Sequence, residues 1–297
     1  MKLLAATALL LVATPALADD ELKGHKGDVN AVAVSPDGKL FASGGDDNNT
    51  LIWDGGKSTT HASDQGRVKA LAFSPDGKYL AIGTDIGNVQ VWDFATKKDL
   101  FSSRSLEGHV TAIQFMPDSK TFVVAGGHTL VILDSTSGKE KVKLAAHKYD
   151  VRGLALAKDG KTIFSCDTNG DVITWKANKA SKPQSVDKAE CHALALSPDG
   201  KQLAAGFGDN NVIVIDPASG KEQRRAKVAD SVNALAFTTD GKMIAVGTQN
   251  EELQLIDNTN TVTTKKGHQR PITSVAVTTD GRIVTTSMDQ TVHVFAK

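Results

Sequence analysis

Short alternating runs of apolar and polar residues dominate this chain, and no segment sustains the period of about 3.6 residues expected of an amphipathic helix. Val29-Asn30-Ala31-Val32-Ala33-Val34 and Val232-Asn233-Ala234-Leu235-Ala236-Phe237 are examples, each followed by an Asp-Gly turn. A second β-rich run comes after the turn, as in Tyr79-Leu80-Ala81-Ile82-Gly83. Next come a polar turn and a third run, as in Val89-Gln90-Val91-Trp92-Asp93. A weaker, hydrophilic stretch ends the unit. Period-two runs separated by Gly, Asp and Asn predict four short antiparallel strands per unit.

The unit recurs. Ser35-Pro36-Asp37-Gly38-Lys39 returns as Ser74-Pro75-Asp76-Gly77-Lys78 and Ser197-Pro198-Asp199-Gly200-Lys201, with weaker copies between and after. The turn aspartates are Asp37, Asp76, Asp118, Asp159, Asp199, Asp240 and Asp280, spaced by 39, 42, 41, 40, 41 and 40 residues. Repeats of about this length with four strands each predict an all-β propeller of seven four-stranded antiparallel blades. The wedge shape of a blade shows in the first strand. One face carries Ala31, Ala70, Ala112, Gly153, Ala193, Ala234 and Ser274. The other carries Val32, Leu71, Ile113, Leu154, Leu194, Leu235 and Val275. The last copy stops after its third strand, Thr291 to Phe295, and Glu21-Leu22-Lys23 at the start has the pattern of a fourth. The N-terminal strand is therefore expected to complete the last blade and close the ring.

The first residues stand apart from the repeats. Met1-Lys2 precede an uncharged apolar run, Leu3 to Ala13, and small residues at Ala16 and Ala18 precede Asp19-Asp20. This is the pattern of a secretory leader over 1–18 with cleavage after Ala18, too short to span a bilayer. It leaves one propeller domain over 19–297 and places the protein in the bacterial periplasm or outside the cell. The whole chain carries 34 basic and 34 acidic side chains, which removes the electrostatic case for nucleic acid. No further segment has transmembrane length, and a monomer is expected.

On these residues the chain resembles the WD-repeat family. Gly24-His25, Gly108-His109 and Gly267-His268 match that family's Gly-His dipeptide, and Trp53-Asp54 and Trp92-Asp93 its Trp-Asp dipeptide. The resemblance covers essentially the whole chain after the leader. It implies a buried hydrogen-bonded set within a blade: His25, Ser43, Asp47 and Trp53 in the first, and His268, Thr285 and Asp289 in the last, where Phe295 replaces Trp. Blades three, five and six end in Leu133, Ile215 and Ile256 instead, and looser, more hydrophobic blades are expected there. Partners in this family dock on the face that carries the fourth-to-first and second-to-third strand loops.

Seven residues before each turn aspartate, at the channel mouth on that face, stand Asn30, Lys69, Thr111, Arg152, His192, Asn233 and Thr273. All are polar between apolar neighbours, which points to a rim and to a partner-binding surface. Lys69, Arg152 and His192 add positive charge within acidic or amide-rich turns, such as Asp46-Asp47-Asn48-Asn49 and Asp85. This suits a peptide carboxylate or an acidic loop. The basic outer strands (Lys139, Lys141, Lys143, Arg224, Arg225, Lys227, Lys265 and Lys266) read as protection of sheet edges. Cys166 and Cys191 fall on neighbouring blades near one rim; the alternatives are a disulfide, which an oxidising compartment permits, and two buried thiols.

No catalytic or metal-binding pattern accompanies these features, and no cofactor is expected. Gly56-Lys57-Ser58 and Gly160-Lys161-Thr162 end like phosphate loops, yet Leu51 and Ala155 occupy the place of the leading glycine. The expected function is a non-enzymatic scaffold that binds a protein or peptide. The alternative is a propeller hydrolase or redox enzyme whose site is assembled in the channel from several blades.

Overall fold

The computed structural model describes residues 19–62 and 66–296, so the expected leader lies outside the described residues. The described chain is all-β and forms seven antiparallel sheets in succession. Blade one is Val29–Val34, Leu40–Gly45, Asn49–Asp54 and Lys57–Ala62, ordered from the axis outward. First strands pack against first strands around the whole ring, including Ile272–Val277 of blade seven against Val29–Val34. Blade seven is completed by Asp20–Lys23, which pairs antiparallel with Thr291–Phe295 in the register Glu21 to His293 and Leu22 to Val292. The ring is closed by the pairing of the first and last described strands.

Each turn aspartate caps its own hairpin. In blade one, Ser35 donates to the Asp37 carboxylate at 2.7 Å, which also accepts the Lys39 N–H at 3.1 Å. Gly38 takes a positive φ of 72° there, a region costly for a residue with a Cβ. Blade three lacks this glycine, and Ser119 adopts the same region at 59°.

The core is a set of seven apolar clusters, each lying between neighbouring blades. Leu80, Ile82, Leu130, Leu133, Ile173 and Ile213 are among the fully buried side chains, each contributing about 1.5–3 kcal/mol. Leu133, Ile215 and Ile256 are buried as deeply as Trp53, so blades three, five and six keep a buried apolar side chain where Trp is missing. Aliphatic packing takes the place of the indole.

One contact recurs around the ring. Gly44, Gly83, Gly206 and Gly247 in second strands face Val68, Val110, Val232 and Ile272 at the start of the next blade, where a Cβ on the glycine would collide with the branched side chain. Between blades four and five this contact is made by Cys166 and Cys191, joined in a disulfide with Cα atoms 6.0 Å apart. Gly153 replaces the alanine of most other first strands beside them. A Cβ at Gly153 would lie 2.7 Å from Cys166 Sγ, so the smaller residue makes room for the sulfur.

Candidate functional site

The channel mouth is built by a backbone irregularity. In six blades the register shifts across the second residue of the first strand: Asn30, Lys69, Arg152, His192, Asn233 and Thr273. Thr111 precedes the ladder in blade three, where its N–H donates to Ala125 O at 2.8 Å. A bulge re-aims the side chain of the extra residue. All seven line the mouth, a cavity of about 610 Å³, together with Arg67, Asp85, His109, Glu190, Gln249 and Met288. Below it the channel narrows to about 250 Å³ between the first strands.

The ring has a structural duty as well. A bulge leaves the carbonyl at the head of each first strand without its ladder donor, and a shielded carbonyl needs another partner. The preceding blade supplies it. Asn30 donates to Val68 O at 2.9 Å, Thr111 to Val151 O at 2.8 Å and Asn233 to Ile272 O at 2.9 Å. His192 Nδ1 lies 2.8 Å from Val232 O and is its donor, and Thr273 donates to Val29 O. Five of the seven therefore tie one blade to the next, which sequence alone did not reveal.

The two full cations break this pattern. Lys69 turns back to Asp46, its Nζ 2.8 Å from Oδ1, where Asn30 also donates at 2.7 Å. Burial would raise the Asp46 carboxyl, but these donors outweigh it and hold the group below its ordinary value. Much of the expected basic character is thus cancelled on that side. Arg67 also lies within reach of Asp46 and Asp85, at 3.7 Å and 3.9 Å. Arg152 is different: it is exposed and has no polar partner among the described residues. The same face exposes Tyr149, 47% accessible, three residues before it, and Ile86, 50% accessible, in the second-to-third strand turn of blade two.

Among the described residues the buried sets form in three blades. In blade one, His25 Nδ1 is 3.1 Å from both Asp47 oxygens and Nε2 is 2.8 Å from Ser43 Oγ, which accepts the Trp53 indole N–H at 2.8 Å. An indole only donates, so Ser43 passes its own proton to Nε2 and His25 donates from Nδ1 to the carboxylate. In blade seven His268 meets Asp289 at 2.9 Å and Thr285 at 2.8 Å. Burial and the facing His293 ring, 4.2 Å away, lower His268 to about 4 against the pull of Asp289. Burial would raise Asp289, but Thr291, the Gln269 N–H and His268 bring it to about 2.

Sequence reading missed a third set. His147 lies 2.7 Å from Asp167 and 2.6 Å from Ser165, whose Oγ accepts the Trp175 N–H at 2.8 Å. Ala146 and Lys176 replace the residues of the two dipeptides. The usable signal was spacing, since His and Ser are 18 residues apart in both blades one and four. The opposite error is Gly108-His109. The apolar residue that heads the first strand follows four residues after His25, as Val29, but directly after His109, as Val110. Leu106 occupies the buried histidine's place, while His109 is exposed at the mouth and bonds Asp85 O through Nδ1.

Among the described residues, no group of three or more His, Cys, Asp or Glu side chains is placed to hold a metal ion. No helix among them is long and apolar enough to cross a membrane. The outer-strand cations are partly neutralised, with Arg225 paired to Asp187 at 2.6 Å and Glu222 at 2.9 Å, and Lys141 to Asp134 at 3.0 Å.

Comparison with known proteins agrees with this geometry. A family model described as WD domain, G-beta repeat, matches residues 19–54, and one for the WD40 domain of anaphase-promoting complex subunit 4 matches 48–117. A third, described as a domain of unknown function (DUF7165), matches 101–289. Similar curated proteins include Protein groucho of Drosophila melanogaster, 28% identical over 123 residues, 39% of this chain and 17% of that protein. Protein HIR1 of Yarrowia lipolytica is 25% identical over 218 residues, 64% of this chain and 19% of that one. Small ribosomal subunit protein RACK1y of Oryza sativa is 71% identical over 34 residues, 11% of this chain and 10% of that one. The chain thus spans about a fifth or less of the length of these relatives.

Proposed function

The chain belongs to the WD-repeat β-propellers, its larger part to the DUF7165 family, and on that premise we propose that it is a non-enzymatic platform for a protein or peptide partner. The partner docks on the face of the channel mouth. The observation that carries this reading is Arg152, the member of the polar ring that is exposed and without a polar partner among the described residues, while five others hold blades together. An unpaired guanidinium near an exposed tyrosine is the kind of anchor that binding surfaces use, and it fits a carboxylate bidentately. RACK1y, by its name a protein of the small ribosomal subunit, offers a precedent for a related repeat held in a larger assembly.

We place this activity in the bacterial periplasm, on the form of the leader and on the disulfide, which suits an oxidising compartment. Fractionation and N-terminal sequencing test the location. A mature chain starting at Asp19 in the periplasmic fraction supports it, and an intact Met1 in the cytoplasm refutes it. Docking is tested by cross-linking a tagged chain in envelope fractions beside an Arg152→Glu variant of unchanged melting temperature. Top-face docking is refuted if no partner recovered with the parent is reduced with the variant.

A further inference from the structure

Blade four departs from the other six in its outer strand. That strand is in two pieces, Lys179–Ala180 and Gln184–Ser185, separated by Ser181-Lys182-Pro183. Pro183 has no N–H to offer the sheet. Ser181 bridges the break by donating its N–H to Thr174 O at 2.7 Å and accepting the Thr174 N–H on Oγ at 3.0 Å. Beneath the break lies Thr174, half-buried. The equivalent residues of the other blades are Ile52, Val91, Ile132, Val214, Leu255 and Val294, all buried. A shorter, polar side chain and a displaced strand together open a groove of about 610 Å³ on the flank between blades four and five.

The groove has an apolar floor and a cationic rim. Phe164, Val172, Leu203 and Ile215 line its base, within the same cluster that contains the Cys166–Cys191 bridge. Lys176, Lys179 and Lys182 stand at its edge, all exposed and none in an ion pair among the described residues. Asp216, the acidic side chain in the lining, is engaged by the N–H groups of Ala218 at 3.1 Å and Ser219 at 2.7 Å. The outer strands elsewhere neutralise several of their cations. Here three lysines are left over a cleft whose floor shares its core cluster with the disulfide.

The geometry points to this flank groove as a second docking site, for an acidic segment of a partner protein that inserts a bulky apolar residue. The apolar floor takes the anchor. The three lysines meet the flanking carboxylates and select against basic segments. The site is separate from the channel mouth and does not depend on top-face docking.

The test uses the mature chain and a fluorescein-labelled peptide with a Phe-Leu pair between two runs of glutamate, read by polarisation. Saturable binding is expected, about tenfold weaker for Lys179→Glu/Lys182→Glu and weaker again in added salt. Thr174→Ile restores the aliphatic residue of the other blades and fills the groove, so it is expected to weaken binding about tenfold without lowering the melting temperature. Replacing Phe-Leu by Ala-Ala in the peptide removes the anchor and has the same effect. Arg152→Glu leaves the affinity unchanged. Full-strength binding to Thr174→Ile, equal binding of a peptide with lysine runs, or dependence on Arg152 each overturns the proposal. So does an absence of saturable binding, or binding to anionic vesicles with none to the peptide.

Discussion

Replacing Cys166 by alanine and Cys191 by valine installs the pair that blades three and four use at the same inter-blade contact, Ala125 packed with Val151. Packing is kept and only the cross-link is lost. The bridge closes a loop of 25 residues in the unfolded chain. Loop-closure entropy for such a loop is about 12 cal/mol/K, or ~3.5 kcal/mol at room temperature. A propeller of this length unfolds with roughly 0.6 kcal/mol/K of entropy, so the melting temperature is expected to fall by about 6 °C. Calorimetry of the double variant beside the parent measures this, with thiol counting under denaturing conditions as the companion assay. Two reactive thiols in the parent purified without reductant, or a variant that melts with the parent, would refute the assignment of the bridge as the clamp between blades four and five.

Trp175→Phe removes the N–H that Ser165 Oγ accepts in a fully buried site, and a loss of about 1–2 kcal/mol is expected by chemical denaturation. The same change at Trp92, which lacks that His-Ser-Trp set, should cost less. Acidification acts through the buried imidazoles. His268 titrates near 4 in the fold instead of 6.5, and burial lowers His147 and His293 as well. The unfolded chain therefore binds more protons between these values, and stability is lost as pH falls from about 6.5 towards 4, by ~3 kcal/mol for His268. His293→Leu, which places at this position the Leu51 of blade one, is expected to flatten the fall of melting temperature over that window. Starting the chain at Gly24 removes Asp20–Lys23 from blade seven, about four sheet pairings, and should cost about 4 kcal/mol. An unchanged melting temperature would rule out closure by the N-terminal strand.

Repeat count, blade architecture and ring closure could be read from the chain because each has a local signature: the Asp-Gly turns, the small face of the first strand, the missing fourth strand at the end. The polarity of Asn30, Thr111, His192, Asn233 and Thr273 was equally visible. Its cause was not, because the carbonyl each satisfies belongs to the next blade, some 40 residues on, and becomes unpaired only through the bulge. Dipeptides misled in both directions. A Gly-His search passes over His147, which follows Ala146, and admits Gly108-His109, whose register differs by three residues. Cys166 and Cys191 gain meaning only in alignment with the glycine and valine positions of the other blades. Arg152 stood in the predicted ring, but which of its cations is free depends on where Asp46 reaches, and that is a property of the folded loops.

The most direct test of top-face docking is the affinity of the partner that the cross-linked parent captures, measured in solution for the parent, Arg152→Glu and Lys179→Glu/Lys182→Glu. The account predicts at least about tenfold weaker binding for Arg152→Glu, strongest in effect at low salt, and parental affinity for the flank variant. Parental affinity in Arg152→Glu, with its fold intact, would contradict the assignment of the channel mouth as the docking surface.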